Sequence, residues 1–111
     1  MMKKNGNKYG AKKIKDPATG FVFDSKKEFI RWCELRLLER AGKISELRRQ
    51  VKFELIPKQD GERACDYIAD FVYRDSDGKT VVEDCKGMRT DVYKIKRKLF
   101  QWRYDMKIKE T

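Results

Sequence analysis

Residues 64–86, ACDYIADFVYRDSDGKTVVEDCK, constrain this chain more than any other stretch. Asp75-Ser76-Asp77-Gly78 sits between two β-rich runs, and Asp-Gly in that setting is a strong local signal for an antiparallel hairpin, because glycine supplies the positive φ of a tight turn. Side chains alternate along a strand with a period of two. In the second arm Val82, Asp84 and Lys86 therefore share one face, and Glu83 and Cys85 point the other way. Asp70 lies in the first arm and comes within reach of Asp84 if the sheet register allows. Whatever the chain folds into must be built around a hairpin with an acid on each arm.

The flanking segments supply partners for such a sheet. Asp16-Pro17-Ala18-Thr19-Gly20 between Ile14 and Phe21 has turn chemistry and predicts a hairpin-like excursion. In DSKKEFIRWCELRLLERAGK, Ser25 with Glu28 three residues on forms a capping box and Gly42 supplies a stop, so a helix is expected between them. Phe29, Ile30, Cys33, Leu37 and Ala41 form one apolar stripe on it, and Trp32 and Leu35 lie nearly opposite, aligned with Glu28. A helix apolar on two sides is expected to be covered on both. Val51, Phe53 and Leu55 alternate with Lys52 and Glu54, which predicts a strand ended by Pro57. After Gly87, Thr90 and Asp91 suit the start of a second helix, with Val92, Ile95, Leu99 and Trp102 as its apolar stripe and a basic remainder. YDMKIKE is expected to close with a short strand.

Charge narrows the class of partner. The net charge is +10, and it is unevenly placed: residues 1–23 carry six Lys and one Asp, residues 86–109 carry nine basic and two acidic residues, and the centre is nearly balanced. Two basic blocks around a carboxylate-rich centre point to a polyanion, nucleic acid above all. No apolar run approaches the roughly 20 residues that span a bilayer. No apolar h-region follows MMKKNGNKYG, so a cytoplasmic protein is expected, with residues 1–10 a flexible basic lead and residues 11–111 one domain. Cys33, Cys65 and Cys85 are odd in number and lack any C-x-x-C pair, so free, mostly buried thiols are expected.

The sequence contains no His. A Cys/His zinc site, a Ser-His-Asp triad and a His-based nuclease are thereby excluded within one chain. Two carboxylates on neighbouring strands can instead hold a hard divalent cation such as Mg²⁺, with a backbone carbonyl, that of Cys85, and water completing the shell. Lys86 beside it could orient a water or stabilise charge on a phosphate. Each residue also has an ordinary reading. Asp84 and Lys86 can be an ion pair on a wet strand face, Asp70 can lie on the solvated side of the hairpin, and Glu28 already has a capping role.

The order of a helix acid, a strand acid and then acid-x-Lys on the next strand, in KKEFIRWCEL, YIADFVY and VVEDCKG, resembles the PD-(D/E)XK nuclease superfamily. FDSKKEF, ELRLLERAGKISELRRQVKFELIP, ADFVYRDSDGKTVVEDCKGMRT and YKIKRKLF are similar to a family of small phage and prophage proteins within it, over roughly residues 8–105. The resemblance implies an α/β (α+β) fold with a restriction-endonuclease-like core, a central mixed β-sheet flanked by helices. It implies Asp70 and Asp84 as metal ligands, Glu28 as the helix acid, Lys86 as the catalytic lysine, and Gln50 as a polar residue near the site. Ala69 stands where the superfamily's name has Pro, and Glu83 beside Asp84 offers a second alignment that strand alternation disfavours. The implied activity is that of a Mg²⁺-dependent DNA endonuclease, with Mn²⁺ able to substitute, acting as a Holliday-junction resolvase on branched DNA. Flap, end or duplex processing and non-catalytic DNA binding are the alternatives. Lys8, Lys12, Lys13, Lys15, Arg89, Lys94, Lys96, Arg97 and Lys98 would hold phosphates, and a symmetric junction would suit a homodimer.

Overall fold

The computed structural model describes residues 13–85 and 89–111. The basic lead, Lys8, Lys12, Lys86 and Gly87 lie outside the described residues.

The chain begins with a two-stranded hairpin, β1 (Ile14–Lys15) and β2 (Val22–Phe23), paired antiparallel. Its turn is organised by Asp16, a buried carboxylate that accepts from Ala18 N at 3.1 Å, Thr19 Oγ1 at 2.8 Å and the Trp32 indole N–H at 3.1 Å. One acid thus shapes the turn and ties it to helix α1 (Lys26–Arg40). Ser25 caps that helix by accepting from Glu28 N, and Gly42 follows it at φ 77°. Then come β3 (Ser45–Ile56), β4 (Cys65–Arg74), β5 (Thr80–Asp84), helix α2 (Asp91–Tyr104) capped by Thr90, and β6 (Lys109–Glu110). The sheet order is β3-β4-β5-β6, antiparallel except for β6, which runs parallel to β5. Between β4 and β5, Gly78 takes φ 79° and its N–H bonds to Asp75 O, as the Asp-Gly turn requires.

The mixed sheet is covered on both faces. On one, Trp32 and Leu35 of α1 pack with Phe23, Phe71 and Tyr73; on the other, Tyr93 and Phe100 of α2 pack with Leu55, Tyr67, Ala69, Val72 and Val82. Along β4 the alternation breaks once. Tyr67 and Ala69 belong to the α2 side, Phe71 and Tyr73 to the α1 side, and Val72 to the α2 side again. In β3, Val51 and Phe53 pack on the α2 side and Leu47 on the α1 side. The changeover falls between the pairs Arg49↔Phe71 and Val51↔Ala69, at Gln50 and Asp70. Gln50 has φ 54°, a left-handed conformation that costs a non-glycine residue about 1–2 kcal/mol and that packing on either side of it must sustain.

Both helices turn a different face inward from the one their longest aliphatic stripe indicates. On α1 the buried residues are Glu28, Trp32 and Leu35, and Cys33, Ile30 and Leu37 are exposed, so only one of its two apolar sides is covered among the described residues. On α2 the buried residues are Tyr93 and Phe100, whereas Val92, Ile95 and Trp102 face solvent. The reason is aromatic packing. Phe100 meets Phe53 edge-on at 5.1 Å and Tyr67 at 5.6 Å, and Trp32 stacks on Phe71 at 6.1 Å. Each aromatic ring removes about 150–250 Å² from water, more than Val or Ile can. The three thiols are free, but none is fully buried, and Cys33 is exposed. No helix among the described residues is long and apolar enough to cross a membrane.

Candidate functional site

The β4–β5 register pairs Phe71 with Glu83, and one further step sets Asp70 opposite Asp84 at the end of β5. The two acids sit beside the point where β3 and β4 change faces. Asp70 Oδ2 accepts from Cys85 N at 2.7 Å, and Gln50 Nε2 lies 3.5 Å from its Oδ1. The left-handed turn at Gln50 therefore brings a polar side chain to Asp70 from the neighbouring strand. Asp84 is 1% exposed, and its Oδ2 accepts from Tyr67 Oη at 2.6 Å. Burial first, and then the Asp84 carboxylate, push the Tyr67 hydroxyl well above the usual tyrosine range, with Asp70 adding to the effect. Tyr67 is thus a permanent donor to Asp84 at any ordinary pH.

Glu83 belongs to the other face. It is fully buried, with Arg31 Nε at 2.8 Å from Oε1, Arg31 Nη2 at 2.7 Å from Oε2, the Tyr73 hydroxyl donating to Oε2, and Lys109 Nζ at 4.0 Å. Burial raises its carboxyl pKa, but the Arg31 and Tyr73 hydrogen bonds and the Arg31 charge outweigh burial and hold it below the usual range. Adjacent acids on β5 are thereby separated: Glu83 clamps α1 to the sheet, and Asp84 faces the tyrosines of the α2 side.

Glu28 is 7% exposed on the first turn of α1. Its charge is felt at Cys85, whose thiol is pushed up by burial, lowered by Thr111 and raised again by Asp70, Glu83 and Glu28. Asp70 and Asp84 thus lie at one end of the sheet, and the start of α1, which carries Glu28, borders Cys85 there through Lys27 and Ile30. The Cys85 contact that forms there is made by its N–H, donated to Asp70. Lys86 follows directly but lies outside the described residues.

A second carboxylate cluster was not legible in the sequence. Glu110 accepts from Tyr93 Oη at 2.6 Å and Arg97 Nη1 at 2.9 Å, and its Oε1 lies 2.7 Å from Arg89 Nη2. Tyr93 first, then Arg97 and Arg89, keep its carboxyl low against the opposing effect of burial. Glu110 pairs with Asp84 across the parallel β5–β6 ladder, so this cluster adjoins the site. Arg89 and Arg97, expected on phosphate, are here engaged by Glu110. Lys13, Lys15, Lys94 and Lys98 are exposed, and Lys96 borders a cavity of about 270 Å³ with Tyr67 and Tyr93.

Among the described residues, no group of three or more His, Cys, Asp or Glu side chains is arranged to hold a metal ion. What the strands do offer is a two-carboxylate, all-oxygen donor set. That suits a hard ion which keeps most of its own water, and does not suit zinc.

Residues 6–111 match the family model described as Protein of unknown function (DUF1064), and the chain belongs to that family. No curated protein and no solved structure matches it.

Proposed function

We propose that this member of the family is a Mg²⁺-dependent DNA endonuclease of the PD-(D/E)XK kind, acting on four-way junctions in the cytoplasm of a bacterium that carries the phage or prophage. The observation that carries this reading is the placement of Asp70 and Asp84 at facing positions of β4 and β5, each already oriented by a donor, Cys85 N and Tyr67 Oη respectively. Asp70 and Asp84 would hold the ion, with Glu28 in direct or water-mediated contact and the Cys85 carbonyl as a further oxygen; Mn²⁺ would substitute. When bound, the ion supplies positive charge at the phosphate and a more acidic water. The chain's own groups do the remaining work. Tyr67 holds one Asp84 oxygen in place, and Cys85 N–H and Gln50 orient the two oxygens of Asp70. Lys86 would orient the attacking water, and the exposed Lys13, Lys15, Lys94 and Lys98 would take phosphates of the flanking strands and offset the repulsion between DNA and the carboxylates.

The decisive experiment compares junction, flap and linear duplex at matched salt, with and without Mg²⁺. Junction cleavage that needs the metal and is lost in Asp70→Asn and Lys86→Ala, with junction binding retained, is the expected result. Equal cutting by those variants rejects the site, and cutting confined to flap or duplex replaces the resolvase with an end- or duplex-processing nuclease. A second reading is a DNA-binding protein without catalysis, consistent with the basic surface of Lys13, Lys15, Lys94 and Lys98. Tight junction binding with no cleavage in Mg²⁺ or Mn²⁺ would establish it.

A further inference from the structure

Helix α2 carries an apolar row that the described structure leaves open. Val92, Ile95 and Trp102 are 63%, 58% and 81% exposed, and Leu99 between them is partly buried against the α2-side core. The spacing i, i+3, i+7, i+10 makes one straight stripe about 15 Å long at 1.5 Å per residue. Single exposed apolar residues are ordinary, but a contiguous row ending in an open indole is the mark of an interaction surface. The aliphatic members offer nothing to a phosphate, so the row itself calls for another apolar surface.

We propose that this stripe is where two copies of the chain pair, α2 against α2 about a two-fold axis. Val92, Ile95 and Trp102 together expose on the order of 400 Å², within the roughly 300–600 Å² range for the largest patch of an ordinary monomer. That is a suitable apolar centre for an interface that buries about 800 Å² per partner. The row is also symmetric about Arg97. In an antiparallel pair Ile95 meets Leu99 of the partner, and Trp102, the largest member, meets Val92 of the partner, the smallest. Every contact is then made twice, as an isologous interface requires. Lys94 and Lys98 flank the row with stems long enough to reach water at the rim. The outward row on α1, with Ile30 and Leu37, has no aromatic anchor and serves as the control surface. The pairing stands whether or not the chain cuts DNA.

Sedimentation velocity of the full chain tests it. The wild type is expected as a dimer at tens of micromolar. Ile95→Glu should weaken pairing on the order of 100-fold by placing a charge in the apolar centre, and Trp102→Ser should weaken it as well. Both variants should keep the wild-type circular dichroism, since both positions face solvent, and should melt where the wild type does once it is diluted to monomer. Leu37→Glu should pair as the wild type does. A wild type that stays monomeric at about 100 µM, where a Kd ten times tighter would pair about four fifths of it, overturns the proposal. So does dissociation by Leu37→Glu but not by Ile95→Glu. If Ile95→Glu leaves the mass unchanged and lowers DNA affinity instead, the stripe faces nucleic acid and the pairing is refuted.

Discussion

Arg31 and Glu83 form the contact whose removal is easiest to work through. Glu83 has no exposed side-chain surface, and Arg31 shows 20% of its own, so a two-bond ion pair stands at the junction of α1 and β5. Replacing Arg31 with Met keeps much of the aliphatic stem and leaves a buried carboxylate with Tyr73 and a lysine 4.0 Å away. Losing one partner of a buried pair costs about 3–5 kcal/mol, and the partial exposure of Arg31 places this case near 3. In a domain of this size that is a fall in Tm of roughly 12 °C. Glu83→Gln keeps the shape and the acceptor for Tyr73, and should cost about 2 kcal/mol by leaving the guanidinium without its anion. The double variant should then be more stable than the two losses added together, by at least about 1.5 kcal/mol, because neither charge is left alone. Chemical denaturation of the four proteins measures this. Additive losses, or Arg31→Met within about 0.5 kcal/mol of the wild type, would refute the clamp. Acidity gives a second check. The folded Glu83 carboxyl lies below its ordinary value of 4.5, so its contribution is complete above that pH and is lost as the pH falls through the lower, folded value. The stability gap between wild type and Glu83→Gln should narrow over that window and stay constant above it.

Asp70→Asn should melt within about 1 kcal/mol of the wild type, since the amide oxygen can still accept from Cys85 N, and yet lose junction cleavage; a large fall in Tm would make Asp70 a structural residue first. Thr90→Ala removes the side chain that accepts from Tyr93 N at the start of α2 and should cost about 1 kcal/mol in denaturant, with no loss meaning the cap is dispensable. The Tyr73 and Tyr93 hydroxyls are raised by burial first and by Glu83 and Glu110 second. Ultraviolet titration should therefore show both protonated at pH 11 in the folded protein, with their stabilising effect lost at higher pH; phenolate absorbance from both near the ordinary value of 10.0 would overturn this.

Local chemistry made much of the chain legible in its sequence. The Asp75–Gly78 turn, the Ser25 and Thr90 caps, the Asp16–Gly20 turn and the alternation in Val51–Leu55 are short-range effects, and each stands in the fold where its residues predict it. The same holds for the separation of Asp84 from Glu83, which needs only the period of a strand. Which stripe of each helix turns inward was a different kind of question. Helix α1 has two apolar sides that periodicity weighs alike, and on α2 the aliphatic stripe that periodicity finds is not the side that turned inward. The choice was made by aromatic partners on distant strands and by buried polar groups, Asp16 for Trp32 and Glu83 for Arg31, that exist only once the sheet has formed. Gln50 illustrates the same limit. Nothing in its neighbours announces a left-handed residue; it arises where one long hairpin must serve a core on each face, and that change of face sets Asp70 and Asp84 beside each other. Turns, caps and alternation act within a few residues, and for that reason the elements and their order follow from local chemistry. The inward faces and the surroundings of each acid depend on which surfaces meet, and so arise only with the assembled sheet and helices.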